Sequence, residues 1–203
     1  AENLHGLELD PRCTQIAAFN LALTAWKFRG HYKELPEMNL ACSGTAPKGK
    51  QEDWVKLVGK VDRVEDKARM ENGMKALYDH FQLAPELGSL LDPSTIKADA
   101  FTASFEELKP VLQKALRVEV DKEQLERGVV AAGIAKAGKI LSEKYTCVLT
   151  NVPYLVFKKQ GEKIKNHSQK ICPDGKMDIA TVFLERCLLL CKKGGVASLV
   201  TPQ

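Results

Sequence analysis

The sequence predicts an α/β fold with a mainly parallel sheet, interrupted by a large helical insertion. Three observations predict it. Short apolar runs that read as strands alternate with longer runs at helical spacing near both ends of the chain. Between Gln51 and Lys144 the character changes: charges are dense, and apolar residues recur every three or four positions. The polar residues with chemical potential fall where the strands end, and that is where parallel sheets bind ligands.

The elements follow in order. "NLHGLELD" is a short apolar strand ending in two acids. Asp10 suits the cap of the next helix and Pro11 its first turn. "PRCTQIAAFNLALTAWKFRG" reads as that helix, closed by Gly30. "MNLACSG" is a second strand. The insertion follows as "WVKLVGKVDRV", "MENGMKALYDHF", "FEELKPVLQKAL" and "QLERGVVAAGIAKAGKIL", with breaks near Pro85 and Asp92-Pro93. "YTCVLTN" is a third strand. "KMDIATVFLERCLLLCKK" reads as an amphipathic helix ended by Gly194-Gly195, and "VASLVT" as a fourth strand. The expected division is 1–50 and 145–203 as two parts of one core, with 51–144 inserted between them.

Composition narrows the class. Of 203 residues 44% are hydrophobic and 28% charged, so a core can form. A net charge of +4 is compatible with nucleic acid without demanding it. Six cysteines lack CxxC pairs. Cys187 and Cys191, four apart, would share a helix face, and the set reads as reduced, buried thiols of a cytoplasmic protein. No metal site is expected, and the four histidines are isolated. No apolar run reaches the roughly 18 residues of a membrane span, and the start has no signal-peptide pattern. "GTAPKGKQ" nearly fits a phosphate-binding loop, but Gln51 replaces the hydroxyl that would ligate magnesium.

Three motifs carry chemistry. Asn151-Val152-Pro153-Tyr154 ends the third strand. The Asn151 amide oxygen and the Val152 carbonyl can both accept N–H bonds from an amine, Pro153 stiffens the loop, and Tyr154 offers a stacking face. The tetrapeptide resembles the catalytic (Asn/Asp/Ser)-Pro-Pro-(Tyr/Phe) of amino-methyltransferases that use S-adenosylmethionine, with Val where the family usually has Pro. "LHGLELDPRCTQIAAFNLAL" resembles the acidic-strand motif of the same enzymes, in which a carboxylate at a strand end chelates both ribose hydroxyls of the cofactor. Glu8 matches that role, and Asp10 stands beside it as the helix cap. "DIATVFLERCLLLCKKGGVASLVTPQ" is similar to the block that follows the catalytic motif.

The wide spacing between the two motifs, with helices between, resembles the large adenine-N6 DNA methyltransferases of type IIG restriction–modification and BREX-type phage defence. In that group a strand of the form "NI.CG" touches the cofactor's adenine. "MNLACSG" matches it and points to Ser43 and Gly44, without the usual acid. The resemblance implies a partial Rossmann-like methyltransferase core and S-adenosylmethionine as cofactor. Its implied partners are double-stranded DNA and other restriction or defence subunits, with no membrane. Asn-Pro-Pro-Tyr also serves methylation of protein glutamine and of RNA, and a degenerate DNA- or partner-binding subunit is the non-enzymatic alternative. The family's Gly-rich cofactor turn would precede Glu8, so the chain reads as an interior piece of a longer enzyme. Alone it is expected to be inactive, with an unpaired sheet edge that either self-associates or is covered by the chain's own helices. The basic "KKQGEKIKNHSQK" reads as a solvated loop, with a phosphate contact open to it because it follows Tyr154.

Overall fold

The computed structural model describes residues 3–115, 122–153, 155 and 157–201. The chain forms two compact units, Ala1–Leu141 and Ser142–Gln203.

The first unit opens with a strand–helix–strand: β1 (His5–Glu8), α1 (Pro11–Arg29) and β2 (Asn39–Cys42). The strands run parallel, in register from His5 opposite Asn39 to Glu8 opposite Cys42. Asp10 caps α1 as its sequence suggests: the carboxylate accepts from the Arg12 N–H at 2.7 Å. Gly30 closes the helix in the left-handed region at φ 76, its N–H donating to the Trp26 carbonyl at 2.9 Å.

Helices then dominate: α2 (Gln51–Val55) running into a 3-10 turn, α3 (Val64–Phe81), α4 (Ala84–Leu87), α5 (Phe105–Ala115) and α6 (Lys122–Ser142). The breaks fall where proline and its capping partners put them. Pro85 opens α4, and Asp92 caps a 3-10 turn that begins at Pro93. The helical periodicity produces this unit's core. Trp54, Met74, Leu77, Leu91, Leu108, Leu112 and Ile134 are wholly buried, and the Trp54 indole N–H reaches the Lys48 carbonyl at 2.7 Å. Each such aliphatic side chain contributes about 1.5–3 kcal/mol by leaving water.

The second unit has β3 (Tyr145–Asn151), a 3-10 turn (Phe157–Lys159), α7 (Glu162–Ile171), α8 (Ile179–Leu190) and β4 (Cys191–Val200). β3 and β4 are parallel, Cys147 opposite Val196 through Asn151 opposite Val200. The α/β class with parallel strands is thus present, and the expected sheet takes the form of one parallel pair in each unit.

Three expectations need correction. The last helix does not run to Gly194-Gly195. It stops at Leu190, and Cys191 already pairs with Tyr145. The two glycines lie inside β4, where the register jumps between Tyr145 and Cys147. Gly194 takes φ 78, and a side chain on Gly195 would sit 3.0 Å from three backbone oxygens. They build a bulge, not a helix stop. Cys191 therefore shares no helix face with Cys187. All six thiols are free, but only Cys172 and Cys187 are buried, while Cys13 and Cys147 are exposed. The lysine-rich stretch after the tetrapeptide is not a loop but largely the helix α7. Ser168 on its inner face is fully buried, and packing of that face stabilises a helix whose composition alone looks like solvent-exposed loop.

Candidate functional site

Glu8 and Asn151 each occupy the last residue of a parallel strand, and each anchors a cluster within its own unit.

In the first unit the carboxyl ends of β1 and β2 are stitched together. The Glu8 carbonyl accepts from the Ser43 N–H at 2.7 Å and from the Ser43 hydroxyl at 3.2 Å. The Cys42 thiol reaches the Leu9 carbonyl at 3.3 Å. Ser43 is only 1% exposed, so its hydroxyl proton is spent on bracing the end of β1. Gly44 is needed by close approach: a Cβ there would lie 2.3 Å from the Leu9 carbonyl oxygen. The Glu8 side chain is exposed. Among the described residues no hydrogen bond or ion pair engages its carboxylate.

Asp10 is committed differently. The backbone N–H of Arg12, with its guanidinium 3.5 Å away, holds the Asp10 carboxyl below the usual range. Its main-chain carbonyl accepts from the Thr14 hydroxyl at 3.2 Å. Of the four residues expected here, the structure gathers Glu8, Ser43 and Gly44 at one spot and sets Asp10 as the first support of α1.

A further residue joins this cluster. Gly88 begins a 3-10 turn (Gly88–Leu90) in the helical region. Its φ is +50, and a Cβ on it would meet the Leu9 side chain at 2.8 Å and the Ser43 hydroxyl at 3.3 Å. Nothing in "ELGSL" announces that approach, because the partner lies far away in sequence. An apolar cavity of about 190 Å³ in this unit lies elsewhere: Leu4, Leu21, Ala25, Met38 and Leu40 line it, at the amino end of β2.

In the second unit β3 delivers Asn151 to an exposed position opposite Val200. Val152 is 3% exposed. Its side chain is buried and apolar, so its backbone carbonyl is the chemical handle it offers. Pro153 is exposed, and Tyr154 lies outside the described residues. The chain beyond is tied to the start of α8. The Leu155 carbonyl accepts from the Ile179 N–H at 3.3 Å and from the Gln160 side chain at 3.0 Å. The Phe157 N–H donates to the Met177 carbonyl at 2.9 Å. Asp178 caps α8 through the Ala180 N–H at 2.9 Å.

Parallel strands joined through helices define an α/β protein, a class whose ligands ordinarily bind at the carboxyl ends of the strands. Residues 2–203 match the Eco57I restriction-modification methylase family, and the chain belongs to it. It is 24% identical over 201 residues to the adenine-specific methyltransferase PglX of Lacticaseibacillus casei (strain Zhang), covering 98% of this chain and 16% of that protein. It is 25% identical over 218 residues to the adenine-specific methyltransferase BrxX of Escherichia coli O9:H4 (strain HS), covering 99% of this chain and 18% of that protein. The chain thus spans less than a fifth of the length of these relatives. Among the described residues no helix is long and apolar enough to cross a membrane.

Proposed function

We propose that the protein carrying this chain is a site-specific DNA adenine-N6 methyltransferase of a restriction or phage-defence system. The observation that carries the reading is Asn151-Val152-Pro153 at the carboxyl end of a parallel strand, in a chain of a methylase family. The adenine-specific activity for which both relatives are named supports adenine as the target.

Adenine's exocyclic amine is a poor nucleophile because its lone pair is delocalised into the ring. The Asn151 amide oxygen and the Val152 carbonyl accept its two N–H bonds. That holds the lone pair out of conjugation and stabilises positive charge as it develops on nitrogen. No strong base is required, and the proton leaves to water once the amine is cationic. Pro153 limits the loop's freedom, and the Tyr154 ring stacks on a base flipped out of the duplex. S-adenosylmethionine, when bound, supplies an electrophilic methyl group. The residues fit it: the exposed Glu8 carboxylate is available to accept from both ribose hydroxyls, on a strand end that Ser43 braces and Gly44 packs against. A Rossmann-like core formed by 1–50 and 145–203, with 51–144 as its insertion, belongs to the same reading. So do duplex DNA and other defence subunits as partners.

The test is methyl transfer from labelled S-adenosylmethionine by the full-length protein, offered duplex DNA, RNA and a glutamine-bearing protein in parallel. Label on adenine N6 of duplex DNA is the expected result. Label on RNA or protein transfers the chemistry to another substrate, and no label with intact DNA binding identifies a degenerate subunit.

A further inference from the structure

The stretch from Phe157 to Lys176 holds six lysines (158, 159, 163, 165, 170 and 176) against two carboxylates, Glu162 and Asp174. Its formal charge is therefore +4, the same as that of the whole chain, so the remaining residues balance to zero. The excess is also shaped. The Phe157 N–H to Met177 carbonyl bond closes the stretch at its base, and Leu155, next to the tetrapeptide, is bonded to Gln160 and Ile179. A lysine-rich excursion thus leaves and re-enters the fold beside Asn151-Val152-Pro153.

Its helix is two-faced. Ser168 is wholly buried, whereas Lys163, Asn166 and Lys170, at i, i+3 and i+7, are exposed on one face. Lys158 and Lys159, also exposed, sit in the turn that leads into it. Lys165 points back, its ammonium 5.2 Å from the centre of the Phe157 ring. Among the described residues no carboxylate pairs with Lys158, Lys159 or Lys170. Exposed lysines are ordinarily interspersed with acids, and concentrating the chain's charge excess in one short stretch, with four of its lysines exposed, creates a potential complementary to a polyanion.

We infer that the exposed lysine face of Lys158, Lys159, Lys163 and Lys170 is a binding surface for the sugar-phosphate backbone of duplex DNA. It grips the substrate beside the catalytic loop without reading its sequence. The choice of partner rests on the methyltransferase reading above. Lysine suits the role, as a flexible point charge that follows phosphates without bidentate geometry.

The experiment measures duplex binding by the full-length protein as a function of salt. In the variant Lys158→Gln/Lys159→Gln/Lys163→Gln/Lys170→Gln, log K against log salt should flatten by about 2–4, as expected for two to four lost phosphate contacts at about 0.9 each. Affinity should fall at least about tenfold at low salt, equally for cognate and unrelated duplexes. S-adenosylmethionine affinity should hold, and arginine at the same four positions should restore the slope. Should the fourfold variant unfold, Lys158→Gln/Lys159→Gln, outside the helix, carries the same test with a slope change of about 1–2. A slope unchanged to within about half a unit overturns the inference, and so does lysine-dependent preference for single-stranded RNA. Methyl transfer is assayed alongside. Its absence with a steep, lysine-dependent slope strikes the enzymatic reading and leaves the surface standing. Transfer with an unchanged slope does the reverse.

Discussion

Trp54, Met74, Leu77 and Leu108 are wholly buried among the helices of the first unit, whereas Leu149, Val196 and Val200 on the β3–β4 pair stand 74%, 61% and 57% exposed. Both sets are apolar, and both sit at the right period for their element. Helices α2, α3 and α5 meet their own needs: the buried stripe each presents is covered by another of them. A two-stranded parallel pair has two faces and covers neither, which is why parallel strands are ordinarily buried on both sides. Stability and the proposed chemistry therefore fall in different parts of this chain. The packed core lies in the helical region, and Asn151 stands at the end of the barely covered pair.

The contrast can be broken where the effect should be largest. Trp54→Ala removes a buried ring and its hydrogen bond to Lys48, and should cost about 3–5 kcal/mol of unfolding free energy, read by chemical denaturation of the 203-residue chain. A loss under 1 kcal/mol would mean that the helical region is not the stabilising core. Asn151→Ala should do the opposite. It should leave stability unchanged and, in the full-length enzyme, lower methyl transfer about a hundredfold, roughly 3 kcal/mol, with cofactor affinity kept. An equal loss of cofactor affinity would assign Asn151 a structural role.

Proton titration sharpens the comparison in the second unit. Burial first, and then the Glu143 carboxylate, push the Tyr145 phenol up from 10.0 to about 12. The folded state thus favours the neutral ring. Its contribution is fully present below pH 10 and is lost as pH rises through about 12. Tyrosinate absorbance should show one phenol titrating late, and Tyr145→Phe should remove that step. A smaller change is expected from Asp178→Ala, which deletes the cap of α8 and should cost about 1 kcal/mol, measured as a shift in the denaturation midpoint. Least of all, Leu149→Ala should alter the stability of the 203-residue chain by no more than about 0.5 kcal/mol. A cost near that of Trp54→Ala would show that β3 is covered after all.

Much of this arrangement is legible in the sequence because it is locally determined. Asp10 beside Pro11, Gly30 after an apolar helix, and Asp92 before Pro93 each set a boundary by chemistry within a few residues. Asn151 at a strand end was readable for the same reason. What the sequence hides is set by distant partners. "CLLLCKK" has the composition of a helix, yet pairing with Tyr145 draws Cys191 into a strand and turns the two glycines into a bulge. The stretch "EKIKNHSQK" looks like solvated loop until packing of its inner face makes it a helix. Ser43 was readable as a polar residue at a strand end, but not as a brace whose hydroxyl is already committed to the Glu8 carbonyl.

Gly88 gives the first unit a different kind of indivisibility. A residue at the head of a turn in the helical region lies where any side chain would strike Leu9 and Ser43. Residue 50 looks like a natural seam for recombination, with the first strand–helix–strand on one side and the helices on the other. A chimera joined there would cut through a fitted surface, not a tether. Leu9, Ser43, Gly44 and Gly88 pack as one set, and a graft of the helical region from a relative should carry its own matching strand ends with it.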